Sequence, residues 1–435
     1  MNKNLIILAQ LAGMFIISLL FGGCSGQFSN AFDAKDIKPM TVHIEASMDI
    51  EGLPAPDELN VTLQNYTENL TLTGTVGSDG TVTIPGVIPG LYNINITGKT
   101  EVEGDATYYL NGSVVNYPVV NEDETLRIPV QAMVAGKLIF KEIYYCGSKT
   151  AKGTSYFRDQ FYELYNNTES TIYLDKLYFA DLNPTTATAK LPTWPEEDGD
   201  KYVYAIDIWQ FPGNGTDYPL KPGESCVVSQ FGANHKLAIY NPNSPVDCSS
   251  SEFEFNCNNP SIPDQRAIDM KFTFRNGLSS NTLKQYLTSV FGGAYVIFKV
   301  PDGVTYDPVN DKSLSTVDLS NTYSTLYAKI PVNYILDAVE AVQNESMITA
   351  KRIPGRLDQG ITYVGQTYIG VSVARKLVGY REDGNPIFLD TNNSTDDFER
   401  GLTPQLRRYN TKMPSCAIPR NTPDWGPYIP LQKHR

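Results

Sequence analysis

The chain has 435 residues, with 48 acidic against 35 basic side chains and a formal net charge of −13. That length allows two or three domains, and the acidic balance excludes a nucleic-acid-binding surface, which needs clustered Lys and Arg. Many short β-branched and aromatic runs, separated by Gly- and Pro-rich turns and without helical heptads, predict a mainly β protein of tandem β-sandwiches.

Residues 1–23 read as a secretion signal. Lys3 supplies the basic start, an apolar run extends from Leu5 to Phe21, and Gly22 and Gly23 precede Cys24. A cysteine directly after the small residues is the expected site of lipid attachment, its thiol taking a diacylglyceryl group. A membrane-spanning helix is the alternative, but the run is short of the roughly 20 residues a span needs and no basic flank follows it. Phe21 stands where a small residue is usual. Residues 24–38 read as a tether. The expected location is the outer membrane, held by the lipid, on the cell surface. Asp33 and Asp36 are a late and thin acidic export cue.

The first predicted domain covers residues 39–135. Thr41 to Glu45 and Val61 to Leu63 alternate with period two, as strands do. Gly77-Ser78-Asp79-Gly80 is a turn, because Asp-Gly supplies the positive φ a hairpin needs. The stretch Thr81 to Ile94, with Ile84-Pro85 and Pro89-Gly90-Leu91-Tyr92, resembles the prealbumin-like or carboxypeptidase-regulatory-like sandwich. That resemblance implies a structural stalk.

The second predicted domain covers residues 136–412. Strand signals run through Leu138 to Tyr145, Gln160 to Asn167, Ile172 to Leu174, Ile206 to Phe211 and Leu220 to Val228. Their order, with Glu142-Ile143-Tyr144-Tyr145 and Leu220-Lys221-Pro222-Gly223-Glu224, resembles the immunoglobulin-like lamin-tail fold up to about residue 230. A Ser/Asn/Pro-rich insertion, 241–264, carries Cys248 and Cys257, close enough to staple one loop by a disulfide. Two short helices are predicted, Ser280 to Val290 and Val332 to Val342, the latter from apolar residues at helical spacing. The segment Asp390 to Phe398 is similar to an element of lamin-tail-like lipoproteins of Bacteroidetes, and residues 413–435 form a Pro-rich tail. The whole chain resembles a family of Bacteroidetes lipoproteins without an assigned activity. The resemblance implies an accessory binding and assembly subunit beside a TonB-dependent transporter and its substrate-binding lipoprotein, of the SusC/SusD or RagA/RagB type, with a peptide or glycan as ligand.

No catalytic or metal-binding motif is found. The three histidines, His43, His235 and His434, show no metal spacing, no GxSxG elbow occurs, and no cysteine pair has zinc spacing. Gly213-Asn214-Gly215 reads as a hairpin turn rather than a phosphate loop, because no helix follows. Glu142 and Glu163 could act as an acid–base pair on a glycan or peptide, making a surface hydrolase the alternative function; solvent-facing positions on neighbouring strands are the expectation. A purely structural surface component is a third reading. Glu196, Glu197, Asp198 and Asp200 form an acidic loop that could hold calcium through oxygen ligands. A solvated loop is the expectation there, and turn capping in the Asp390 to Asp397 segment. Trp194, Trp425 and Tyr428 are the expected ligand or partner contacts, since exposed aromatic faces in loops bind sugars or anchor partners. Trp209 is expected in the core.

Overall fold

The computed structural model describes residues 38–414 apart from 50–52, 57, 66, 102–106, 122–124, 135–136 and 189. Cys24 with its signal and its tether up to residue 37, Cys416, Trp425, Tyr428 and His434 lie outside the described residues.

The first unit holds seven strands: β1 (Met40–Asp49), β2 (Leu59–Asn65), β3 (Leu70–Thr75), β4 (Thr81–Val87), β5 (Gly90–Glu101), β6 (Thr107–Val119) and β7 (Thr125–Val134). They hydrogen-bond in the order β3-β2-β5-β6-β7-β1-β4, with β1 parallel to β7 and antiparallel to β4. Alternation along the strands places Val42, Ile44, Val61, Leu63, Ile84, Ile94, Ile96 and Ile128 on one buried face. The sheet folds over on that core, so that its two edges approach: Gly74 of β3 lies against Val82 and Ile84 of β4, with no room for a side chain. Between β3 and β4, Gly80 takes φ +79° and Asp79 accepts hydrogen bonds from the Thr81 amide and hydroxyl, the turn expected from sequence.

The second unit is two larger sheets face to face. One runs in the order Ile268–Asp269, Phe253–Glu254, Ser225–Ser229, Phe161–Asn166, β8 (Leu138–Tyr144), Ser372–Arg375 and Phe398–Leu402. The other runs Ser315–Val317, Leu326–Pro331, Tyr202–Gln210, Tyr178–Leu182, Ala294–Phe298, Ile335–Val342 and Thr362–Tyr363, with Lys271–Arg275 also paired to Tyr202–Gln210. Aromatic rings fill the space between them: Tyr162 of the first sheet meets Phe179 at 4.8 Å and Tyr295 at 4.9 Å, and Trp209 is buried against Phe255 and Tyr286. Tilted and edge-to-face pairs of this kind suit the quadrupoles of the rings.

Neither predicted helix forms. Val332–Tyr334 is a single tight turn and Ile335–Val342 is a strand, paired antiparallel with Ala294–Phe298 and parallel with Thr362–Tyr363. Its last six residues are buried on both faces, so apolar side chains occur without period-two alternation and imitate helical spacing. Residues 281–289 carry no regular element; Tyr286 and Val290 are buried as single anchors.

The two units are joined by specific bonds. The amide of Gln359, itself buried, donates to the carbonyls of Ile96 at 2.8 Å and Gly112 at 3.2 Å. Asn111 donates to Thr391 O and Asn116 to Thr349 O. Gly355 sits so close to Ser113 that a side chain would collide with it.

Candidate functional site

Glu142 and Glu163 stand opposite one another on β8 and the Phe161–Asn166 strand, and both are buried rather than solvent-facing. The register shifts beside them, leaving Lys141 as the extra residue of a bulge with its Nζ 2.9 Å from Glu163. Glu142 accepts from Arg408 Nε at 2.9 Å, Ser372 Oγ at 2.7 Å and the Gln405 amide at 2.9 Å. Glu163 also accepts from the Arg407 amide and the Thr411 hydroxyl. Burial raises the pKa of Glu142, and the Arg408 guanidinium opposes it; burial lowers that of Lys141, and Glu163 opposes it. Each carboxylate is thus occupied by the segment 403–412, which runs across the sheet as a strap and closes with a bridge from Glu224 to Lys412. Next to it, Arg407 pairs with Glu252, which also accepts from the Val227 amide. Carboxylates sealed in this way have no face left for a substrate.

A second buried network centres on Arg375. Its guanidinium forks onto both oxygens of Asp337 at 2.9 and 3.0 Å, and donates to Asp390 at 2.9 Å, Asp397 at 3.0 Å and the carbonyls of Phe140 and Leu389. Asp397 in turn accepts from the Thr391 amide and hydroxyl and the Asn393 amide. The Asp390 to Phe398 element is therefore a loop leading into a one-turn helix, Ser394–Asp397, capped by Asn393 and tied to a central arginine, and Asn392 supplies its left-handed residue at φ 56°. The glycine loop is held the same way: Asp175 accepts from the Gly215, Asp217 and Tyr218 amides, and Gly213 at φ +115° packs against it where no side chain fits.

The remaining sequence candidates disperse. Cys248 and Cys257 do not bridge. Cys248 is wholly buried over the Asp159 carbonyl, whereas Cys257 meets Asn281 and the Tyr286 backbone, so the two thiols address different neighbours. Burial raises the pKa of both. His235 is a core residue: Nδ1 meets the Tyr156 hydroxyl at 2.7 Å, Nε2 meets the Phe231 carbonyl at 3.0 Å, and burial depresses its pKa to about 4. His43 bonds Thr83 across β1 and β4. In the acidic loop Asp198 is not solvated; it is buried and accepts from Lys329 at 2.7 Å and Tyr204 at 3.1 Å.

Among the described residues, one carboxylate group could hold a metal ion. Glu254, Asp264 and Asp269 offer oxygens lying within 4.8 Å of one another, a hard donor set of the kind calcium takes. Asn256 donates to both aspartates. Burial first, and then the like charges of Asp269 and Asp264, push Glu254 up to about 8, although the Gly232 and Gln265 amides oppose the shift.

Two recesses among the described residues bear on function. Trp194 lines one of about 180 Å³, with Leu182, Leu191, Pro192, Tyr204, Lys351 and Arg352. Its loop is pinned by the Thr193 amide on Asp318, and its ring stacks on Tyr204 at 3.9 Å and 11°. The second recess, about 410 Å³, lies where the two units meet. Asn60, Lys99, Tyr109 and Asn111 line it from the first, Thr391, Asn393 and Asp396 from the second. Its walls combine amides, hydroxyls and an aromatic ring with the charged groups Glu58, Lys99 and Asp396. Sequence reasoning missed this cleft, because its two walls lie some 300 positions apart in the chain.

Residues 221–405 match the family described as "Protein of unknown function (DUF4876)". The chain is similar to a crystal structure of a DUF4876 family protein from Bacteroides thetaiotaomicron VPI-5482, at 52% identity over 86% of this chain and 98% of that one, with a TM-score of 0.64. It also aligns with the fimbrial anchor protein Mfa2 from Porphyromonas gingivalis at 12% identity, over 34% of this chain and 60% of that one, with a TM-score of 0.17. No curated protein matches the chain.

Proposed function

This chain belongs to the DUF4876 family, and from that premise we propose that it is a binding and assembly protein, lipid-anchored through Cys24 at the outer membrane and displayed at the cell surface. The observation that carries the reading is the cleft between the two units. Buried Gln359 ties both units together, so the cleft walls are held at a set separation rather than on independent domains. A pre-formed recess that combines amides, hydroxyls and an aromatic ring with charges of both signs favours a hydrated peptide or glycan. The sealing of Glu142 and Glu163 by the strap removes the support that a hydrolase reading drew from that pair. The prealbumin-like and lamin-tail-like assignments of the two units belong to the same proposal.

The partners we propose are a TonB-dependent transporter and its substrate-binding lipoprotein. This part rests on the signal sequence and the family resemblance. Lipid anchoring would confine the partners to one plane, where weak contacts gain from high effective concentration. Tagged protein, extracted gently from its native membrane, should bring down the transporter and its lipoprotein. Recovery of neither, with no peptide or glycan retained, would sink the proposal. Cys24→Ala should abolish incorporation of a labelled fatty acid.

A further inference from the structure

The end of the first unit at which β1 begins is apolar on its outside. Leu91 of β5 lies opposite Pro118 of β6, and Gly90 opposite Val119. The next residues along, Pro89 and Val120, extend the two chains past that pairing. Pro89, Leu91, Pro118 and Val120 are all exposed, Leu91 by 57% and Val120 by 62%, whereas Tyr92 and Val119 beside them belong to the core. Pro39, also exposed, reaches the same end, because Met40 pairs with Val87, three residues before Gly90. Exposed apolar side chains scattered singly need no explanation, but a group on adjoining strands marks a contact surface.

We propose that this end of the first unit seats on the surface of a lipid bilayer, with Leu91 and Val120 entering the boundary between headgroups and acyl chains and the three prolines around them. The inference rests on the reading of Cys24 as the lipid anchor. Residues 24–38 span at most roughly 50 Å when extended and lead directly into β1. An anchor joined there draws the Met40 end of the strand to the bilayer; Met48, eight positions along, stands about 26 Å away. Charge does not drive the contact. Lys38 is outnumbered at this end by Glu68, beside Asn65 and Gly90, and by the run Glu122-Asp123-Glu124 that follows Val120 in sequence. Apolar burial is what remains, and a tethered surface needs little of it, because the tether already holds the two together at high effective concentration.

The test uses the mature chain from residue 24 to the end, carrying Cys24→Ser, Cys257→Ser and Cys416→Ser and held on phosphatidylcholine vesicles by an N-terminal histidine tag on a nickel-chelating lipid. A polarity-sensitive fluorophore is placed at Leu91→Cys or, as the control, at Met48→Cys, which is also exposed. On vesicles the Leu91→Cys label should shift to the blue and be quenched about twofold or more by nitroxide-bearing phosphatidylcholine, while the Met48→Cys label stays in water. The quenching should survive about 1 M sodium chloride, which screens charge but not apolar contact. Val120→Asp, a change at an exposed position, should cut it by about half while thermal unfolding stays unchanged. Equal quenching of the two labels, loss of quenching in salt, or full quenching in Val120→Asp would overturn the proposal. A blue shift without vesicles that grows with protein concentration would assign the patch to a second copy of the chain and overturn it as well. Because the tag supplies the attachment, absence of fatty acid on Cys24 and absence of quenching report on different claims.

Discussion

Glu142 and Glu163 face each other across adjacent strands, yet each carboxylate is neutralised from a different direction: Glu142 by Arg408 of the strap, Glu163 by Lys141 of its own sheet. Two like charges can share one buried layer because the bulge at Lys141 delivers a cation between them.

Lys141→Met should therefore leave Glu163 as a buried charge with only neutral donors. Losing one partner of a buried pair costs about 3–5 kcal/mol, and urea denaturation should show a fall in unfolding free energy of that order. Lys141→Met with Glu163→Leu removes both charges and should recover most of the loss. An additive double variant would disprove the coupling.

Arg375 should tolerate no substitution. Arg375→Lys keeps the charge but cannot reach Asp337, Asp390 and Asp397 together, because an ammonium lacks the planar fork. Loss of about 3 kcal/mol or more is expected for Lys and more for Met. Protease should then cut first within 390–397, where Asp397 would lose its charge partner.

Gln359→Ala should weaken the joint between the units without melting either. Two hydrogen bonds to backbone carbonyls are lost, at about 1 kcal/mol each. Small-angle scattering should show a broader range of inter-unit separations, and binding of peptide or glycan at the cleft should weaken. An unchanged scattering profile would remove Gln359 from that role.

The Glu254 group makes a pH prediction. Its folded pKa, pushed up to about 8, lies above the ordinary 4.5, so the folded state holds the proton more tightly than the unfolded state. Stability from this group is greatest below about 4.5, falls as pH rises toward 8 and stays low above it. Asp269→Asn removes one of the repelling charges. Asp269 is exposed, so solvent screening limits the gain to about 0.5 kcal/mol at pH 8, with none at pH 5. Calcium, if it occupies the group, should stabilise the wild type more at pH 8 than Asp269→Asn. Chemical denaturation at the two pH values reads both effects.

Much of the fold was legible locally. The period-two runs of β1 and β2, the Asp79-Gly80 turn and the β8 signal all stand where residue order predicts them, since alternation and turn chemistry act over a few residues. Ile335–Val342 misled because both its faces are covered, which erases the alternation that marks a strand. Glu142 and Glu163 misled for another reason. Their strands look half-exposed until residues 403–412, some 240 positions later, arrive to cover them. Trp194 was found as an aromatic in a loop, but Lys351 and Arg352, which line the same recess, come from a segment about 160 residues away.

The strap has a consequence for biogenesis. A polypeptide emerging N-terminus first completes both sheets before residues 403–412 appear, so the two glutamates spend that interval wet and the sheet unlatched. Contacts this distant in sequence form late. A nascent chain stopped just short of position 403 would have both sheets but lack their fastening, and an exposed, unlatched sheet is what a quality-control protease recognises.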